Sequence, residues 1–303
     1  MDSRTYLLKT INRIQGAYAE STIRAYRSNF IKFIEYCNSV EESALPAKPA
    51  TIAAYIESLE DLKWRSASIR QTIASIATIH TLNNYQNPTL ASEVKLALKR
   101  MHRKIGRFSR QANGITKEIL EAMLLATDHS LRGYRDRVLL LVAYDTMCRR
   151  SELVNIEVRN LGQQSLHSIK NTQNTVVFIE QSKTDQQRQG RWLTIGKLAS
   201  TALNDWLEIS KIKEGHLFRG VNRHDRLMER LSAGQICRIY KRLAKKAGFS
   251  KEFIENVSGH SMRVGAAQDL LLSGASLPIM MAKGRWSKPD TVMRYVEKIG
   301  IAI

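Results

Sequence analysis

A chain of 303 residues exceeds the size at which one hydrophobic core keeps growing, about 250 to 300 residues, so two domains are expected. Its 43% hydrophobic and 25% charged residues are those of an ordinary folded protein, which excludes a disordered basic tail as the source of the +19 formal charge. A folded surface this basic, with a sequence pI of about 10.0, concentrates polyanions and points to nucleic acid ahead of a small metabolite, although charge alone also admits a membrane surface.

The N-terminus "MDSRTYLLKTINRIQ" lacks the apolar core of a signal peptide, and no apolar run is long enough to span a bilayer, so a cytoplasmic protein is expected. Cys37, Cys148 and Cys237 are too far apart for a zinc spacing and odd in number for a disulfide framework; they read as buried thiols. With Ser21 as N-cap, Ile23, Tyr26, Phe30, Phe33, Ile34 and Cys37 follow helical spacing, while Arg24, Arg27 and Lys32 fall between them. A second helix follows "PAKPAT" through Ile52, Tyr55, Ile56 and Leu59, and a third runs through Ile69, Ile73 and Ile76. A fourth, "ASEVKLALKRMHRK", ends in a cationic turn suited to the negative end of its dipole. Residues 1–104 therefore read as a helical bundle.

At 105–114 the apolar period disappears. Across "HRKIGRFSRQANG" the residues Arg103, Lys104, Arg107 and Arg110 gather around two glycines, as in an interdomain linker: either a solvated basic loop or a strap along a phosphate backbone. Residues 115–303 read as the second domain. Helical patterning returns in "TKEILEAMLLA" and in the apolar "RDRVLLLVAYDTMC". Between about 165 and 195, "TVVFIE" and "RWLTI" flank "SKTDQQRQG" as a hairpin with Lys183 near its tip. Further helices are predicted at 197–210, 232–247, 261–273, 277–283 and 289–298. The fold class is mainly α with a small β-sheet or hairpin.

Chemistry-bearing residues collect in this second half: Arg149 in "CRRSEL", Lys183 in "SKTD", His260 and Arg263 in "HSMR", Trp286 in "GRWS" and Tyr295 in "MRYVEK". Taken singly each has a bland reading as a surface cation or a core aromatic. Together they match displacement at a phosphodiester, whose crowded, highly charged intermediate state calls for forked cations at the nonbridging oxygens. Arg149 and Arg263 would supply them. Tyr295 would be the nucleophile, His260, on one helical face with Arg263, its proton acceptor, and Lys183 the acid for the departing deoxyribose oxygen. The indole N–H of Trp286 could donate to phosphate, and Glu152, three residues beyond Arg149, could orient the Lys or the His. No carboxylate cluster suited to a divalent metal and no G-x-x-x-x-G-K-[ST] loop occurs, so no cofactor and no metal are expected.

The order Arg149, Lys183, His260-x-x-Arg263, Trp286, Tyr295 resembles the catalytic series of the tyrosine site-specific recombinases, the phage integrase family. The segment "HSMRVGAAQDLLLSGASLPIMMAKGRWSKPDTVMRYV", residues 260–296, resembles the Cre-like branch of that family. The resemblance implies a two-domain C-shaped clamp on duplex DNA, with an N-terminal core-binding (SAM-like) bundle and a C-terminal α+β catalytic domain. It implies a homotetramer on paired inverted half-sites, a 3′-phosphotyrosyl intermediate on Tyr295 and strand exchange through a four-way junction. It also implies a bacterial or phage-encoded, nucleoid-associated protein and no membrane partner. DNA-contact candidates are Arg24, Arg27, Lys32, Lys63, Arg65, Arg70 and Gln71 in the bundle, the strap residues named above, and Arg238, Lys241 and Arg242 in the catalytic domain. The chain departs from the family at Met147, where many members have Gly two residues before the first catalytic Arg, and at Trp286, where many have a second His. Two other readings share these residues: a type IB topoisomerase, and a DNA-binding protein of the same fold that has lost catalysis.

Overall fold

The computed structural model describes residues 2–107, 111–165, 173–180 and 189–296. The chain divides into two compact units, Met1–Arg110 and Gln111–Ile303. Among the described residues no helix is long and apolar enough to cross a membrane.

The first unit is built from helices α1 (Ser3–Arg13), α2 (Glu20–Ser39), α3 (Pro49–Asp61), α4 (Ser66–Leu82) and α5 (Ser92–Ile105). The apolar stripe of α2 buries Ile23, Phe30, Phe33, Ile34 and Cys37, which pack against Ile52 and Ile56 of α3 and Ile69 and Ile76 of α4. The predicted cap of α2 is corrected: Ala19, extended, precedes the first turn, and Ser21 lies inside it. Glu20 in that turn complements the positive end of the dipole. Pro49 opens α3, where its missing N–H costs nothing. His80, fully buried at the end of α4, holds its Nδ1 2.8 Å from the Ile76 carbonyl, while its Nε2 accepts from the Ala47 N–H at 2.9 Å. One ring thus ties the loop before α3 to α4.

The second unit is mainly helical with a small antiparallel sheet. Its elements are α6 (Lys117–Leu125), α7 (Leu131–Thr146), α8 (Arg150–Val154), strands β1 (Leu161–Ser165), β2 (Gln173–Ile179) and β3 (Arg191–Thr194), then α9 (Lys197–Ser210), α10 (Ala233–Lys246), α11 (Lys251–Glu255), α12 (Ser261–Leu272), α13 (Leu277–Gly284) and α14 (Pro289–Val296). The apolar run of α7 buries Val138 through Ala143 at the centre of the core. The strand order is β1-β2-β3, with Leu161 opposite Val177 and Val177 opposite Leu193. The predicted hairpin is therefore the β2–β3 half of a three-stranded sheet.

The chain enters this unit along α12. The Asn113 N–H donates to the Asn256 carbonyl at 3.0 Å and the Ile115 N–H to that of Ser261 at 2.9 Å. The Asp269 carboxylate accepts from the Lys117 N–H at 2.8 Å and from the Tyr144 hydroxyl at 2.5 Å, clasping α6 and α7 to α12. The crossing is so close that a β-carbon at Gly265 would collide with the Ile115 carbonyl.

Candidate active site

The site is organised by the turn between α7 and α8. Met147, fully buried, ends α7 in the left-handed region at φ 49°, ψ 32°. This conformation, costing about 1–2 kcal/mol for a residue with a β-carbon, explains why glycine suits the position. The turn aims the Met147 carbonyl inward, where the Nη1 of Arg263 donates to it at 2.7 Å. The Nη2 of Arg263 donates to the Gly284 carbonyl at the end of α13. These bonds use two of the five N–H donors of a guanidinium and fix its plane. Arg263 is only 2% exposed; burial first, and then the charge of Arg149, pulls its pKa down to about 10, which leaves it cationic at neutral pH.

Arg149 flanks the N-terminus of α8. Its Nη1 donates to Glu152 Oε1 at 2.7 Å, and its backbone N–H donates to Glu152 Oε2 at 3.0 Å. The buried Glu152 also accepts from the Nη2 of Arg285 at 2.7 Å. Burial drives the Glu152 carboxyl up, but Arg285 and the hydrogen bonds from Arg149 outweigh it, and its pKa lies below the usual carboxylate value. Glu152 thus binds two arginines, because the turn of α8 places its carboxylate beneath the Arg149 backbone.

His260 caps the start of α12, its backbone N–H donating to Ser258 Oγ at 3.1 Å. His260 is solvent-exposed. Local burial, followed by the charges of Arg263, Arg150 and Arg149, lowers its pKa from 6.5, so the imidazole is neutral at pH 7. The Trp286 indole, 7% exposed, is the meeting point of the remaining groups. The Arg263 guanidinium carbon lies 4.7 Å from its ring centroid, and the Tyr295 ring stacks on it at 5.1 Å with planes 28° apart. A continuous series of contacts thus runs from Arg149 through Glu152, Arg285, the Met147 carbonyl, Arg263 and Trp286 to Tyr295.

Of the remaining predicted positions, Lys183 and Arg110 lie outside the described residues. Arg24, Arg27, Lys32, Lys63, Arg65, Arg70, Gln71, Arg103, Lys104, Arg107 and Arg238 are exposed. Two of them have partners in the first unit: Lys32 sits 4.6 Å over the Trp64 ring, and Lys104 lies 3.4 Å from Glu60. Lys241 is half-buried and donates to the Glu255 carbonyl at 3.0 Å. Arg242 is half-buried and pairs with the buried Asp136, which also holds Arg135 at 2.7 Å, because an uncompensated carboxylate in this core would be costly. Sequence reasoning missed Arg285. Its one legible signal is a cation directly before Trp286.

The phage integrase family model matches residues 113–299. The chain belongs to the phage integrase family. Among relatives of this family, the "integrase/recombinase xerD homolog" of Selenomonas ruminantium is 28% identical over 302 residues, covering 96% of this chain and 85% of that protein. "Recombinase cre" of Escherichia phage P1 is 21% identical over 303 residues, covering 95% and 87%. The fold resembles that of lambda integrase (75-356), solved as a dimer bound to a COC′ core site, with TM-score 0.64, 17% identity and coverage of 100% and 98%. It also resembles XerH site-specific recombinase bound to palindromic difH substrate, with TM-score 0.63, 16% identity and coverage of 90% and 75%.

Proposed function

We propose that this phage integrase family member is an active site-specific recombinase that cuts and rejoins duplex DNA through a 3′-phosphotyrosyl intermediate and a four-way junction. The observation that carries the reading is the convergence on Trp286 of a buried guanidinium and the Tyr295 phenol, 4.7 and 5.1 Å from the indole centroid. In the reaction the Tyr295 oxygen forms a bond to the scissile phosphorus as the bond to the 5′ oxygen breaks. His260, neutral at pH 7, takes the phenolic proton. Arg149 and Arg263 stabilise charge growing on the nonbridging oxygens, the donors of Arg263 not used on backbone carbonyls being available for this. Lys183 gives the departing oxygen its proton. Attack by the 5′-hydroxyl of a partner strand reverses these steps and restores the phosphodiester, so the bond energy is kept on Tyr295 and no ATP is consumed. The family's assembly, a tetramer on paired inverted half-sites, supplies that partner strand. The exposed cations of α2 and α4 and of Arg238 are the proposed contacts to the DNA backbone and bases.

The test is covalent capture. Wild-type protein incubated with a randomised duplex library yields DNA-linked protein, whose recovered sequences give the target site. On a nicked form of that site Tyr295→Phe retains binding and loses the adduct. An adduct formed by Tyr295→Phe overturns the assignment.

A further inference from the structure

We propose that Arg150 is a DNA-binding residue of the active site: laid across Gly259, it holds a guanidinium at the rim beside His260, where it takes a phosphate next to the scissile one. The proposal rests on the recombinase reading, which supplies the strand.

The placement of the side chain comes first. Arg150 opens α8, and its aliphatic stem runs over Gly259, the residue before His260. A β-carbon at Gly259 would stand 2.8 Å from Arg150 Cδ, 3.4 Å from its Cβ and 3.5 Å from its Cγ, so the stem lies in a groove that exists because position 259 carries no side chain. Burial first, and then the charges of Arg263 and Arg150, lower the pKa of His260, which puts the Arg150 charge within reach of the imidazole. An arginine seated in this way loses less conformational entropy on meeting a ligand than one that sweeps freely through solvent.

The second observation is the state of the guanidinium. Arg150 is exposed, and its side chain makes no hydrogen bond or ion pair among the described residues. Two nearby arginines are held differently: Arg263, 2% exposed, donates to two backbone carbonyls, and Arg285 is held by Glu152. Arg150 thus presents the five N–H donors of a guanidinium at the surface, in a fork suited to phosphate oxygens. With Arg263 at the floor of the site and Arg150 at its rim, a strand whose scissile phosphate reaches Arg263 brings the neighbouring phosphate to Arg150.

The test uses full-length protein in the Tyr295→Phe background, which binds without cutting, and the site recovered by covalent capture. Duplex affinity is measured from about 50 to 200 mM salt. Each phosphate neutralised adds about 0.9 to the slope of log affinity against log salt, so over this fourfold range the parent loses about 3- to 4-fold more affinity than Arg150→Gln. Arg150→Lys keeps the slope of the parent. A scan of single methylphosphonates then locates the contact: the Arg150→Gln penalty vanishes when a phosphate beside the scissile one is neutral and persists when a more distant one is. Gly259→Ala, which pushes the stem aside, reproduces part of the penalty and adds none in the Arg150→Gln background. Equal slopes for the parent and Arg150→Gln overturn the proposal, as does a penalty that survives neutralising either neighbour of the scissile phosphate, or a Gly259→Ala loss of the same size in both backgrounds. Equal slopes in a protein whose Tyr295 form still yields adduct defeat the role of Arg150 alone. Absence of any adduct with wild-type protein across the library defeats the recombinase reading itself, and the place given to Arg150 falls with it.

Discussion

Trp286 is the side chain whose removal reports most directly on how the site is held. Its indole takes the Arg263 guanidinium at 4.7 Å and the Tyr295 ring at 5.1 Å, and it is 7% exposed. A desolvated cation over an aromatic face is worth about 2 kcal/mol. A stacked aromatic pair adds about 1 kcal/mol. If both interactions hold reacting groups in place, Trp286→Ala loses about 3 kcal/mol of positioning, which at about 1.4 kcal/mol per tenfold is roughly a 100-fold slower cleavage step. Trp286→Phe keeps a ring against Tyr295 and a weaker face for Arg263, so its rate lies between the two. The assay is single-turnover adduct formation on the nicked site at 25 °C, with duplex affinity and thermal unfolding recorded in parallel, because truncating a buried Trp also costs about 3–5 kcal/mol of stability. The reasoning is refuted if Trp286→Ala, still folded, cleaves at the wild-type rate, for then the indole only fills the small core it shares with Met147, Met280 and Val292.

Three further outcomes are expected. At Met147, in the left-handed region at φ 49°, Met147→Gly is more stable than Met147→Ala by about 1 kcal/mol, the reverse of the usual helix order; a urea titration with Ala equal or better rejects the assigned strain. His80 has its pKa lowered, by burial first, so the unfolded chain binds the proton more readily and stability contributed by neutral His80 declines as pH falls below about 6.5. Thermal unfolding between pH 7.5 and 5 tests this, and a His80→Gln variant with the same pH slope as wild type removes His80 as the cause. Lys183→Ala slows cleavage of ordinary DNA but is rescued by a 5′-phosphorothiolate, whose leaving group needs no proton; failure of rescue assigns the acid elsewhere.

Much of this molecule is legible in its sequence because helices announce themselves through period. Phe30, Phe33, Ile34 and Cys37 mark the buried face of α2, and Lys197–Ser210 coincides with the helix predicted there. β1 escapes because "LGQQS" carries little β-forming or apolar signal; Leu161 becomes strand by pairing with Val177, a tertiary fact. The order of the polar residues in the second half suffices to suggest a phosphodiester site. Their division of labour is hidden, since it depends on turns. Glu152 and Arg285 are 133 positions apart, and the turns that carry Arg149 and Arg285 to the carboxylate each contain a left-handed residue, 147 and 285, that no local pattern announces. Arg242 is illegible for a different reason: its partner Asp136 sits in the run "RDRVLLLVAYDTMC", where a charge reads as surface until the helix is known to be buried almost all round.

The crossing of the entering chain over α12 separates folding from chemistry at one position. Because a β-carbon at position 265 would occupy the space of the Ile115 carbonyl, a larger residue there forces the entering strand off α12 while touching none of the groups concerned with phosphate. A substitution at 265 therefore reports on how this unit is put together.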